Sequence, residues 1–245
     1  MIQKTIYSLI LERQKRGEKL FSILIDPDKF ESDKTIKLAE KAGVDFIMVG
    51  GSLITNGSFE DSVATIKKLT SIPVIIFPGN GMQITSKADA ILLLSLISGR
   101  NANLLIGDHV IAAPHLKSSG LEIMPTGYML IESGKQTAAS YMSNTLPIPA
   151  DKSDIAMCTA MAGEMLGLKL IYLDAGSGAE KCISTEMIKR VKESIRIPLI
   201  IGGGINSVKK ATDACKAGAD LIVVGNAIEK DSRLIKNIAD AIHNL

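Results

Sequence analysis

The chain has 245 residues, 46% hydrophobic and 22% charged, with 28 basic against 26 acidic side chains, the profile of a soluble globular protein. A formal charge of +2 argues against a nucleic-acid partner, which a concentrated basic stripe would announce, and no run reaches the roughly 18 apolar residues of a membrane span. Cys158, Cys182 and Cys215 form neither a CxxC pair nor a disulfide framework, and the N-terminal stretch is charged throughout, so buried thiols and a cytoplasmic location are expected.

In chain order, short β-branched runs recur at Phe21–Asp26, Phe46–Gly50, Val74–Phe77, Ala90–Leu94, Tyr128–Ile131, Leu170–Asp174, Leu199–Gly202 and Leu221–Gly225. They are nearly continuously apolar, as parallel strands covered on both faces should be. Amphipathic stretches with helix punctuation lie between most of them. Ser32 is expected to cap a helix ending at Gly43, Ser153 one ending at Gly167, and Ser207 one ending at Gly218, because a serine hydroxyl accepts a free N–H of the first turn and glycine takes the left-handed exit.

The segments 41–52 (KAGVDFIMVGGS) and 216–227 (KAGADLIVVGNA) share seven of twelve positions, and 72–76 (IPVII) resembles 197–201 (IPLII). If these are strands 2 and 8 and strands 3 and 7, each βα unit takes about 30 residues, and eight units fill the chain. The expected fold is therefore α/β, a single (β/α)8 TIM barrel over residues 1–245, with a βαβα order throughout. The longest interruption, 132–152, follows strand 5 and reads as an elaborated βα loop on the face where barrels keep their active sites.

The clearest chemical signal lies at the end of the chain. Strand 7 runs into GGGINS (202–207) and strand 8 into GNAIE (225–229). Glycine loops that open helices bring backbone N–H groups and a helix N-terminus to an anion, so a phosphate site is expected there. Strand 6 delivers Tyr172 and Asp174 at i, i+2 spacing, hence on one side of the strand, followed by Gly176-Ser177-Gly178. Asp174 could act as a general base or simply cap its own turn. Asp26 and Asp28 end strand 1 and Ser52 follows strand 2. Such oxygen donors suit Mg²⁺ when the substrate brings phosphates, although Asp-Pro-Asp also serves to start a turn.

No strand-end lysine suits a Schiff-base aldolase, the nearest being Lys29. His109 and His115 are spaced wrongly for a shared metal on one helix and read as surface or packing residues. The apolar stretch 90–97 and the LLI run at 104–106 read as either plain core or the wall of an elongated hydrophobic groove.

Taken together, LIDPDK (24–29), VGGS (49–52), IFPGN (76–80), SLISGRN (95–101), GYMLIESG (127–134), YLDAGSGA (172–179), GGGI (202–205) and GNAIE (225–229) resemble the geranylgeranylglyceryl phosphate synthase family along nearly the whole chain. That family includes bacterial heptaprenylglyceryl phosphate synthases. The resemblance implies a modified TIM barrel, with phosphate-binding loops after strands 6 to 8, that transfers a long prenyl chain from its diphosphate to the 3-hydroxyl of sn-glycerol 1-phosphate with Mg²⁺. By motif, it assigns Asp26 and Ser52 to the metal. Tyr172, Leu173, Asp174, Ala175, Gly176, Ser177, Gly178, Gly203, Gly204, Gly225 and Asn226 fall to the glycerol phosphate, Arg100 to the diphosphate, and Asp174 and Tyr172 to catalysis.

The small residues after the acid resemble the archaeal-type branch, which implies geranylgeranyl diphosphate as donor. Many members carry glutamate where this chain has Asp174, one methylene shorter. The family also implies self-association as a dimer or hexamer, with Tyr141 as a candidate contact, and leaves room for peripheral membrane contact. The rival readings are a heptaprenyl-specific synthase, a phosphosugar isomerase, epimerase or lyase, and a non-catalytic phosphate-ligand or lipid-binding module. A long apolar groove beside the phosphate loops separates the prenyl reading from the sugar-phosphate one.

Overall fold

The computed structural model describes residues 5–30, 33–56 and 58–245. Eight parallel strands close into a barrel in sequence order: β1 Leu20–Ile25, β2 Phe46–Val49, β3 Val74–Ile76, β4 Ala90–Leu96, β5 Glu122–Leu130, β6 Leu170–Asp174, β7 Leu199–Gly202 and β8 Leu221–Val224, with β8 paired to β1. The helices are α1 Ile6–Lys15, α2 Asp33–Lys41, α3 Phe59–Leu69, α4 Asp108–Ser119, α5 Ala138–Ser143, α6 Ser153–Met165, α7 Thr185–Ser194, α8 Val208–Ala217, α9 Asn226–Lys230 and α10 Arg233–His243. Strand pleating sorts the apolar residues into two cores. Leu20, Met48, Ile75, Leu92, Met124, Tyr172, Ile200 and Val223 fill the interior, which Ile6 and Ile10 of α1 help to build. Phe21, Ile47, Val74, Ile171, Ile201 and Ile222 pack outward with the helices.

The sequence repeat has a physical cause at the foot of the barrel. A carboxylate just before each of three strands accepts an N–H from the first two residues of the preceding strand: Asp45 from Phe21 (2.9 Å), Asp89 from Val74 (2.7 Å) and Asp220 from Leu199 (2.8 Å). Asp45 and Asp220 occupy the same place in the two KAGxD segments. Each also meets a basic side chain: Asp220 lies 2.6 Å from Lys192, Asp89 2.8 Å from Lys67, and Asp45 2.9 Å from His243 Nε2.

The Asp45 hydrogen bond raises the His243 pKa above its ordinary value. Stabilisation from this pair is therefore fully present below about pH 6.5 and fades as pH rises through the elevated folded value. His243→Gln is expected to lower the melting temperature at pH 5.5 and to have a smaller effect at pH 8.5, as a thermal melt at each pH would show.

Several expectations need correction. Among the described residues no helix lies between β3 and β4; residues 77–89 form a loop. β5 begins at Glu122, six residues before the expected Tyr128, because Pro125 and Gly127 are tolerated inside it. Gly127 has a packing reason: a Cβ there would lie 2.8 Å from Ile171 Cδ1. Ser153 is not a cap but the first residue of α6, whose cap position, Lys152, makes no side-chain capping bond. Ser207 does cap α8, accepting from Lys210 N–H. Ser32 lies outside the described residues. Cys215 is buried, whereas Cys158 is exposed and Cys182 intermediate.

Candidate active site

A cavity of about 660 Å³ opens at the C-terminal ends of the strands, within the usual range for small-molecule sites. It has a polar end and an apolar limb. The polar end is built on an aromatic floor, where Phe77 stacks on Tyr172 at 5.1 Å between centroids and Tyr128 meets both rings edge-on. Strand register makes this possible, since Tyr128 is the direct partner of Tyr172 and Leu130 of Asp174. Gly202 leaves room for the Tyr172 hydroxyl, which a Cβ there would approach to 2.2 Å.

Asp174 stands above this floor, 7% exposed. One carboxylate oxygen accepts the Tyr128 hydroxyl at 2.5 Å and the other the Gly176 N–H at 2.7 Å. Burial raises its pKa above the usual carboxylate range, while the two hydrogen bonds to its charged form oppose that rise. Both tyrosines are pushed well above their ordinary value, first by burial and then by the Asp174 charge, so they stay protonated at neutral pH. Asp174 thus caps its own turn through one oxygen, as one reading of the sequence has it, and also lines the cavity.

Around this carboxylate the three glycine loops converge. Gly176, Ser177, Gly178, Gly203, Gly204, Gly225 and Asn226 all line the cavity. Gly203 and Gly204 take φ of +80° and +69°, which only glycine adopts cheaply. The Ser177 hydroxyl donates to Asn226 Oδ1 at 3.0 Å, tying the β6 loop to the start of α9. Leu173 and Ala175 do not join them. They belong to the outer core, because successive strand residues face opposite sides.

At the end of β1, Asp26 Oδ1 accepts the Asp28 N–H at 3.1 Å, and Pro27–Lys29 forms a single 3₁₀ turn. Asp28 is committed to the neighbouring loop, accepting Thr55 N–H, Thr55 hydroxyl and Asn56 N–H. Asp26 and Ser52, in contrast, both line the cavity. A Cβ on Gly51 would lie 3.3 Å from Asp26 Oδ1, so glycine keeps that flank of the carboxylate open. One carboxylate and one hydroxyl fit Mg²⁺, which takes few protein oxygens and keeps water or substrate phosphate as its remaining ligands. Among the described residues there is no cluster of three or more His, Cys, Asp or Glu side chains that could hold a metal.

Arg100 is exposed and absent from the cavity wall; its guanidinium turns back to the carbonyls of Ile97, Ser98 and Gly99. The cations on the wall are instead Lys29 and Lys230. His115 is exposed, whereas His109 lines the cavity with Nε2 3.3 Å from the Ser95 hydroxyl.

The apolar limb runs between the outer side of β4 and α4, lined by Ile84, Ile91, Leu93, Leu104, Ala112 and Leu116. A helix between β3 and β4 would cover this side of the sheet. The helix-free loop leaves it open, so the leucine-rich stretch serves as core on one face and as groove wall on the other.

Fold and site define a TIM-barrel enzyme whose polar centre, ringed by glycine loops, continues into an apolar groove. The PcrB family model matches residues 12–242. The chain is 55% identical to the geranylgeranylglyceryl phosphate synthase of Spirosoma linguale over 238 residues, 96% of each chain. It is 54% identical to that of Chitinophaga pinensis, over 97% of this chain and 96% of the relative. It superposes with a TM-score of 0.91, at 32% identity and covering 98% and 99% of the two chains, on the (S)-3-O-geranylgeranylglyceryl phosphate synthase of Thermoplasma acidophilum, solved with sn-glycerol-1-phosphate. A thiamine phosphate pyrophosphorylase of Pyrococcus furiosus, at 16% identity and TM-score 0.58, over 94% and 98%, shares the fold alone. The chain belongs to the PcrB family and is an enzyme of the prenyltransferase class.

Proposed function

We propose that the protein transfers a geranylgeranyl chain from its diphosphate to the 3-hydroxyl of sn-glycerol 1-phosphate, releasing diphosphate. The observation that carries this reading is Asp174, a buried carboxylate on the wall of the one cavity that the glycine loops and the apolar limb share. The loops after β6, β7 and β8 bind the acceptor's phosphate through backbone N–H groups. The limb takes the prenyl chain and excludes water. The C1–oxygen bond of the donor breaks as the acceptor oxygen attacks C1, and the acceptor's proton passes to Asp174. Tyr172 orients the acceptor, and Lys29 and Lys230 face the departing charge. Asp26 and Ser52 would hold Mg²⁺, which when bound supplies charge stabilisation to the leaving diphosphate. Self-association through α5, where Tyr141 is 71% exposed, and a cytoplasmic location with access to lipid substrate belong to the same reading. Among the described residues no helix is long and apolar enough to cross a membrane.

The test is to incubate the protein with sn-glycerol 1-phosphate, Mg²⁺ and a ladder of prenyl diphosphates, reading products by mass spectrometry. One ether product, strongest with the geranylgeranyl donor and lost with EDTA, is expected. A product only with heptaprenyl diphosphate would keep the reaction and change the donor, while no product from any donor would favour phosphosugar chemistry. Ala112→Phe, which fills the limb, is expected to shift preference toward shorter donors. Tyr128→Phe removes the hydrogen bond that holds the Asp174 pKa down. It is expected to cost about tenfold in kcat/KM and to move the acid limb of the pH profile upward.

A further inference from the structure

We propose that Lys29 is the resident counter-ion of the metal site, neutralising Asp26 in the free enzyme and passing to Glu229 and the donor's diphosphate when the divalent cation binds. This rests on the proposed assignment of Mg²⁺ to Asp26. Asp26 keeps one oxygen for the turn, and the other lies 3.0 Å from Lys29 Nζ. The same ammonium lies 3.5 Å from Glu229 Oε2, on the short helix α9 that opens from the β8 phosphate loop. All three side chains line the cavity. Lys29 is thus shared between two carboxylates from opposite ends of the sequence, both at the polar end.

Electrostatics then dictates an exchange. An ammonium and a divalent cation on one carboxylate oxygen repel strongly at such range, so a cation arriving at Asp26 displaces Lys29. A lysine stranded without a partner would oppose that step, and Glu229 removes the obstacle by offering a second carboxylate within reach. The lysine side chain is half exposed on a flexible stem, free to turn. Once released from Asp26, its ammonium remains on the cavity wall, where the donor's diphosphate arrives. The exchange keeps the site's charge compensated both with and without metal. It also gives a role to a lysine in the turn after β1 at a site with no Schiff-base chemistry.

The test is direct Mn²⁺ binding to the whole protein without substrate, by electron paramagnetic resonance, followed by inorganic pyrophosphate titrated onto the Mn²⁺-loaded protein by calorimetry. Lys29→Met is expected to tighten Mn²⁺ binding about tenfold and to weaken pyrophosphate binding by a similar factor. Glu229→Gln is expected to weaken Mn²⁺ binding when Lys29 is present and to have little effect in the Lys29→Met background. Asp26→Asn should abolish Mn²⁺ binding at this site. If Asp26→Asn abolishes binding but Lys29→Met leaves it unchanged or weaker, the exchange is wrong and the metal assignment stands. Equal weakening by Glu229→Gln in both backgrounds would also overturn the exchange, since Glu229 would then act by charge alone. Mn²⁺ affinity unchanged in Asp26→Asn, or no binding to the wild type, would overturn the metal assignment and the exchange with it.

Discussion

Asp174→Asn is expected to lower kcat about a thousandfold, in the range of a lost general base, while changing the affinity for sn-glycerol 1-phosphate only a few fold. Asparagine keeps the shape and can still accept from either Tyr128 or Gly176, but it cannot take a proton from the acceptor. Calorimetric binding alongside turnover separates the two effects. The pH profile gives a second reading, because burial raises the Asp174 pKa. Since the ionised form is the active one, the acid limb of kcat/KM should fall above the usual aspartate range and should disappear in the variant. A variant retaining most of its activity would remove Asp174 as the base.

The second large effect is expected at Gly203. A Cβ there would lie 2.6 Å from Gly176 N and 2.8 Å from both Ala175 N and Asp174 Oδ1, on a backbone at φ +80°. The β7 loop and the β6 carboxylate are therefore fitted to each other through this glycine. Gly203→Ala must shift one or both, and a misplacement on the order of 1 Å costs roughly a hundredfold. The loss should divide between a higher KM for the acceptor, whose phosphate loop moves, and a lower kcat, whose carboxylate moves. Steady-state kinetics with acceptor varied would show the division. An unchanged KM would argue that the phosphate does not use the β7 loop.

The barrel was legible because its strands are written as uninterrupted apolar runs, and β6 and β7 have the expected bounds. The KAGxD repeat could be counted before its role was visible; its aspartates tie neighbouring strands together at the foot of the barrel. Helix-free residues 77–89 were harder to foresee, because an absent helix leaves no periodic signal and the loop's glycines suit any connection. Alternation along β6 explains why the Leu173 side chain packs in the outer core while those of Tyr172 and Asp174 face the cavity, a distinction that a motif read as a block does not make. Tyr128 was missed although GYMLIESG carries it. Only the register that sets it opposite Tyr172 brings its hydroxyl to Asp174, and single-strand patterns do not encode register. The meeting of Lys29 with Glu229 was likewise unreadable, since barrel closure joins the first strand to the last. Arg100 fits its motif, yet its side chain bonds the carbonyls of its own turn.

One cavity is expected to hold the acceptor phosphate on the glycine loops, the acceptor hydroxyl at Asp174 and the prenyl chain between β4 and α4. A crystal structure with sn-glycerol 1-phosphate and a non-ionising geranylgeranyl diphosphate analogue tests it most directly. The phosphate is expected on the backbone of Gly178, Gly204 and Asn226, with the 3-hydroxyl about 3 Å from the Asp174 carboxylate and the chain along Leu104, Ala112 and Leu116. A phosphate bound elsewhere, a hydroxyl turned away from Asp174, or a prenyl chain outside the β4–α4 limb would overturn the proposed reaction geometry.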